Sequence, residues 1–180
     1  MLVEMVVESV RVNLQTYQRV VVLKEKGADR YLPIWIGNNE ADAIVMQLQK
    51  VQVPRPMTHD LLKSVIGELG ARVTRVVVND LAEDVFYARV ALEIDGRQVE
   101  IDSRPSDAIA LAVRVDAPIY AEESVLDKAA VALDGDAPAA EPEPAHEQPE
   151  PVREEELKKL SVFRDFINTL NLDDLEKQDK

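Results

Sequence analysis

The sequence predicts an α+β domain with a mixed, largely antiparallel sheet and packed helices, followed by a linker and one amphipathic helix. Three observations predict it. Short runs rich in Val and Ile come in pairs joined by turn residues, the pattern of antiparallel hairpins. Segments with apolar residues three and four apart lie between those runs rather than after them. Five of the ten prolines fall within residues 138–151, in a Pro-Ala-Glu stretch without apolar period that cannot build a core.

The elements follow in order. Val3, Met5 and Val7 alternate with Glu4, Val6 and Glu8, and Val10 and Val12 extend the pattern, so the chain opens with a strand. Val20-Val21-Val22-Leu23 and residues 31–36 form two more, joined by a loop over residues 25–29. Pro33 lacks an N–H and suits an edge position or a strand start. A helix begins at Asn38 or Asn39, both good N-caps, with Ala41, Ile44, Leu48 and Val51 on one face, and Pro54 and Pro56 stop it. Thr58 can cap a second helix whose apolar residues are Leu61, Leu62, Val65, Ile66 and Leu69, with Gly70 as its C′ residue. Val73, Val76, Val77 and Val78 mark a strand, and residues 85–94 another.

Asp95-Gly96 is the clearest turn. A type I′ hairpin there pairs Leu92 with Val99 and Val90 with Ile101 on one face, and Ala91 with Glu100 and Arg89 with Asp102 on the other. A third helix over residues 105–115 is apolar on most sides and so is expected to be buried. A short strand at Ile119-Tyr120-Ala121 and a helix over residues 122–130 complete the domain.

The expected organisation is a domain over 1–131, a disordered linker over 132–152, and a helix with tail over 153–180. In the last, Glu154, Glu155 and Glu156 precede a stripe of Leu157, Leu160, Phe163, Phe166, Ile167 and Leu170. A single amphipathic helix of that length is unstable alone, so residues 154–170 should dock on their own domain, another subunit or a protein partner.

The chain has 21 Lys and Arg against 34 Asp and Glu, a net charge of −13, which argues against a general nucleic-acid coat. The acidity is uneven. Residues 1–128 hold 15 cations and 20 acids, a net of −5, and residues 129–180 hold 6 and 14, a net of −8. There is no cysteine, so disulfides, thiolate metal sites and a Cys nucleophile are excluded. Two histidines exclude an all-His metal centre. The N-terminus lacks a basic targeting region and no apolar run reaches the ~20 residues of a membrane span, so a soluble, cytoplasmic protein without membrane association is expected. Walker, GxGxxG, GxSxG and HExxH motifs are missing.

Two loops stand out. Arg55-Pro56-Met57-Thr58-His59-Asp60 and Arg104-Pro105-Ser106-Asp107 each place Arg-Pro, a hydroxyl and an acid at a predicted helix start. Ordinary helix starts favour the same residues, because Pro suits N1, hydroxyls cap free amides and acids complement the dipole. The chemical reading is more specific. Arg55 and Arg104, with Thr58 and Ser106, form a phosphate clamp at helix N-termini. Asp60, Asp107 and Glu40 supply oxygen ligands for Mg²⁺ or Mn²⁺, and His59 is the candidate for proton transfer at neutral pH. Metal plus phosphate clamp is the minimum equipment for phosphodiester hydrolysis, which makes His59, Asp60 and Asp107 the catalytic candidates. Asp102 is a further possible ligand, but the hairpin register gives it Arg89 as partner. Trp35 with Tyr31 could stack a base, although such a pair is more often core or interface. Arg11, Arg72, Arg75 and Arg114 read as scattered surface cations.

The runs LPIWIGNNEADAI (32–44), PRPMTHDLL (54–62), IDSRPSDAIALAVR (101–114) and PIYAEESVL (118–126) resemble the bifunctional nuclease domain family, over about residues 3–128. The resemblance implies a compact, self-associating α+β domain that cleaves DNA and RNA. The family's recognisable polar positions fall on Glu40, Arg55, Thr58, His59, Asp60, Asp102, Arg104, Ser106 and Asp107. The competing expectation is a non-catalytic module that binds a phosphate or acidic ligand, self-associates, and recruits a partner through its C-terminal helix. The acidic balance supports that alternative.

Overall fold

A computed structural model describes residues 1–13 and 17–132. The expected linker over 132–152, apart from its first residue, and the helix over 153–180 lie outside the described residues. The strands are β1 (Leu2–Val12), β2 (Arg19–Glu25), β3 (Arg30–Ile36), β4 (Ala71–Ala82), β5 (Val85–Ile94), β6 (Arg97–Ser103), β7 (Ile119–Glu122) and β8 (Val131–Ala132). The helices are α1 (Asn38–Leu48), α2 (Thr58–Glu68), α3 (Pro105–Val115) and α4 (Glu123–Ala129). One sheet holds the strands in the order β6-β5-β4-β7-β1-β2-β3-β8. Every neighbouring pair is antiparallel except β4 with β7, so the α+β class with a mixed, largely antiparallel sheet holds.

Two strands break their alternation, and bulges are the reason. In β1 the inward residues are Val3, Met5 and Val7, then Val10. The change of parity falls at a bulge between Val7 and Ser9, where one extra residue re-aims the side chains. In β4 the same happens twice, between Val73 and Arg75 and between Val78 and Asp80, so that Val73, Val76, Val78 and Leu81 all face the core. The Asp95-Gly96 hairpin has the expected register, with Leu92 opposite Val99 and Val90 opposite Ile101. Both turn residues have positive φ, 50° and 75°, as a type I′ turn requires.

The core joins Val21, Leu23, Leu32, Ile34, Val76 and Val90 of the sheet to Ile44, Ile109, Leu111 and Leu126 of the helices. α3 is buried on most sides because it packs on α1, α2, β4 and β5 at once. It is the hub of the helix layer, and it carries half of the candidate site.

Several expectations need correction. Gly37, not Asn38 or Asn39, caps α1, and Met57, not Thr58, caps α2. α1 ends at Leu48, which leaves Leu48 and Val51 exposed rather than on a buried face. On α2, Leu61, Leu62, Val65 and Leu69 are exposed, and the buried residue is His59. Asp102 does stand opposite Arg89, but Arg89 Nη1 bonds Glu100 instead, at 3.2 Å. Trp35 is 55 % exposed, so it is not a core residue. β8, made of the last residue of the expected domain and the first of the expected linker, pairs with Arg30 and Tyr31 and is a strand the sequence did not predict.

Candidate functional site

Three helix starts converge, and each contributes the acid at the third helical position. With Gly37, Met57 and Arg104 as N-caps, that position is Glu40 in α1, Asp60 in α2 and Asp107 in α3. An acid there can reach back over its own cap and complements the helix dipole. Glu40 folds over Gly37, where its Oε2 fills the space a Cβ would need. Asp60 Oδ2 accepts the Met57 amide N–H at 2.9 Å. Asp107 Oδ2 accepts from the Nε of its own cap residue, Arg104, at 2.7 Å.

The side chains then link into a chain of alternating charge. Arg104 Nη2 donates to Glu40 Oε1 at 2.8 Å, so one guanidinium ties the start of α1 to the start of α3. His59 Nε2 lies 3.0 Å from Asp107 Oδ1, which ties in α2. Burial pushes the Asp107 carboxyl up, but the hydrogen bonds from Arg104 and His59 outweigh it and hold the group below the ordinary carboxylate range. An ionised carboxylate only accepts, so Nε2 of His59 carries the hydrogen, and in the neutral ring Nδ1 is the basic nitrogen. His59 is only 7 % exposed, whereas the Arg104 side chain is 67 % exposed and forms the solvent-facing rim. The two acids in turn raise the Arg104 pKa, Asp107 more than Glu40.

Asp60 belongs to a second network. Arg114 Nε donates to Asp60 Oδ1 at 2.7 Å, Nη1 to the Ala110 carbonyl at 2.8 Å and Nη2 to the Ala43 carbonyl at 3.1 Å. One buried guanidinium thus bolts α1, α2 and α3 together. Lys63 Nζ adds a bond to the Arg114 carbonyl at 2.8 Å. The Met57 amide, then Arg114, hold the Asp60 carboxyl below its usual range against the opposing effect of burial. Arg114 was expected on the surface and is instead 5 % exposed. The sequence held a signal for it, because a lone Arg on a helix as apolar as Ala108-Ile109-Ala110-Leu111-Ala112-Val113 needs a buried partner.

Of the expected residues, the structure therefore joins Glu40, Arg104, Asp107 and His59, and sets Asp60 apart from them. Both Asp60 oxygens are engaged, and among the described residues no three His, Asp or Glu side chains gather as a cation site. Ser106 is buried in the first turn of α3, and Thr58 opens α2. Asp102 takes no part in either network. Arg55 pairs with no acid among the described residues and lines a groove of about 410 Å³ with Val51, Val53, Met57, Asp60 and Lys63.

Fold and site together define a small α+β domain with a His–Asp pair and an arginine rim at converging helix starts. Residues 21–134 match the bifunctional nuclease domain, and the chain belongs to that family. It is 40 % identical over 171 residues to an uncharacterized protein of Mycobacterium tuberculosis (strain H37Rv), covering 95 % of this chain and 96 % of that one. It is 28 % identical over 112 residues to bifunctional nuclease 1 of Oryza sativa subsp. indica and 29 % identical over 110 residues to bifunctional nuclease 2 of Arabidopsis thaliana. Those matches cover 61 % and 59 % of this chain but only 34 % and 33 % of the plant proteins. Among the described residues no helix is long and apolar enough to cross a membrane.

Proposed function

We propose that this chain hydrolyses phosphodiester bonds in DNA and RNA at the convergence of α1, α2 and α3. The observation that carries the proposal is the Glu40–Arg104–Asp107–His59 chain, which sets a base, its orienting carboxylate and an anion-binding cation within hydrogen-bond reach of one another. Family membership supports the same reading. Arg104 and, from the neighbouring loop, Arg55 receive the phosphate. His59 Nδ1 takes the proton of the attacking water, and Asp107 stabilises the imidazolium that forms. The P–O bond to the leaving oxygen breaks, and the proton returns to that oxygen. Arg104 balances the charge that builds on the phosphoryl oxygens.

Divalent-metal dependence is a separable part of the proposal. Mg²⁺ needs only one or two carboxylates besides water and substrate phosphate. Glu40 and Asp107 fit that requirement, since they already share one cation, Arg104, and Asp60 does not, since Arg114 and the Met57 amide occupy it. A bound ion would supply Lewis-acid stabilisation and a more acidic water.

The test is cleavage of single- and double-stranded DNA and RNA by the full chain, in Mg²⁺, Mn²⁺ or EDTA, beside Asp107→Ala and His59→Gln. We expect both variants to lose at least a hundredfold in rate. Undiminished cleavage by both would refute the site. One observation favours a non-catalytic anion-binding module instead, because Arg55 and Lys63 line a groove whose walls include neither His59 nor Asp107. Inactivity of the natural chain on every substrate, with retained binding to oligonucleotides, would decide for that reading.

A further inference from the structure

The two edges of the sheet are built differently. At one edge β8 covers Arg30 and Tyr31 of β3, and Pro33 removes a donor from the remainder. At the other, β6 runs seven residues with no proline, no lysine and no bulge, and six of its residues are exposed. Among the described residues no strand lies beside its outer backbone groups. Proteins ordinarily blunt such an edge or pair it. Val99 and Ile101 lie on the sheet face that carries the helices, since they oppose Leu92 and Val90 of the core, and they are 41 % and 47 % exposed. α2 packs on α3 and β4, in the half of the sheet that ends at β6, and leaves Leu61, Leu62, Val65 and Leu69 exposed as well.

We propose that β6 pairs antiparallel with β6 of a second copy, joining the two sheets into one across a two-fold axis at Glu100. The pleat restricts the choice, because residues directly opposite must point to the same face. Centring on Glu100 pairs the whole strand, Arg97 with the partner's Ser103, Gln98 with the partner's Asp102 and Val99 with the partner's Ile101. The apolar pair thus meets its own kind, and the amide of Gln98 meets a carboxylate. Glu100 faces its own copy, a contact that would ordinarily repel. Here Arg89 and Arg75 hold it at 3.2 Å and 3.5 Å, so its charge is balanced within each chain. An axis at Ile101 would instead set Glu100 against the partner's Asp102. An axis perpendicular to the sheet keeps both helix layers on one side. The pairing involves none of Glu40, His59, Arg104 and Asp107, so it stands whether or not the chain is a nuclease.

The absence of cysteine provides the test. A single thiol at Glu100→Cys lies opposite itself, with the Cα atoms about 4.5–5.5 Å apart, inside disulfide range. A thiol at Gln98→Cys lies four residues, about 13 Å, from its own copy and cannot close. We expect the full chain to sediment at twice its 20.1 kDa at micromolar concentration. Oxidation should cross-link Glu100→Cys and not Gln98→Cys, while a mixture of Gln98→Cys and Asp102→Cys should cross-link. Ile101→Lys, at a position exposed enough for the fold to accept it, should weaken the dimer at least tenfold. A monomer at all concentrations, equal cross-linking at 98 and 100, or a dimer unmoved by Ile101→Lys would overturn the proposal, the first also being the result if another polypeptide covers this edge.

Discussion

Removing one side of the Asp60–Arg114 pair should cost far more than removing the other, and removing both should cost less than the worse single change. In Asp60→Ala the guanidinium of Arg114, whose side chain is 3 % exposed, is left with the Ala110 and Ala43 carbonyls but no counter-charge. An uncompensated buried charge costs about 3–5 kcal/mol. The lower end applies because two carbonyls remain, and loss of the Met57 cap adds about 1 kcal/mol, for a total near ~4 kcal/mol. In Arg114→Met the packing volume is kept. The carboxylate left behind is 31 % exposed and still holds the Met57 amide, so it remains solvated and the cost is about 1–2 kcal/mol. The double variant leaves no buried charge. It should lose about 2–3 kcal/mol, so adding Arg114→Met to Asp60→Ala restores about 1–2 kcal/mol. Urea unfolding at pH 7 measures all three, followed by far-UV circular dichroism or by Trp35, the single tryptophan. At roughly 3–4 °C per kcal/mol the same order should appear in Tm. If the double variant is less stable than Asp60→Ala, the guanidinium is not a buried charge in need of its partner, and the account of this helix junction fails.

Gly37→Ala should leave stability nearly unchanged, because φ of −68° suits alanine, yet its Cβ would meet Glu40 Oε2 and push that carboxylate away from Arg104. A fall in kcat/KM of about tenfold with Tm within about 2 °C would bear this out, and unaltered kinetics would count against a role for the Glu40–Arg104 bond. Asp60 and Asp107 titrate below their unfolded values. The stability they contribute is therefore fully present above about pH 4–5, and is lost as pH falls through their folded values. Urea midpoints between pH 7 and pH 3 should show the loss beginning below about pH 4, and an onset near pH 6 would assign it to another group. Glu83 and Asp84 turn the β4–β5 hairpin with φ of 49° and 59°, a conformation that Glu83 does not favour and that Asp84 adopts less readily than glycine. Glu83→Asn with Asp84→Gly should raise stability by about 1 kcal/mol, read by urea unfolding, and a loss would show that the turn's side chains matter more than its backbone.

The elements of the domain were legible in the sequence because hydrophobic period and turn chemistry are local. Asp95-Gly96 determined the β5–β6 register down to Leu92 opposite Val99, since a two-residue turn admits one pairing that keeps both faces consistent. The parity change between Val7 and Val10 is likewise written in the chain, although only the pairing with β2 identifies it as a bulge. Helix caps were less legible. Met57 and Arg104 are not favoured cap residues and Gly37 has no side chain to cap with, so the acids three positions later do the capping or bond the cap instead. For the site, the sequence determined which residues carry the chemistry, with Glu40, His59, Asp60, Arg104 and Asp107 all picked out by type and position. It could not determine how they are partitioned. Asp60 and Asp107 occupy equivalent places in similar loops, yet one is taken by Arg114 and the other by Arg104 and His59. Only the tertiary structure decides this, because Arg114 lies 54 residues from Asp60, and the bond between them exists only where α1, α2 and α3 are packed together.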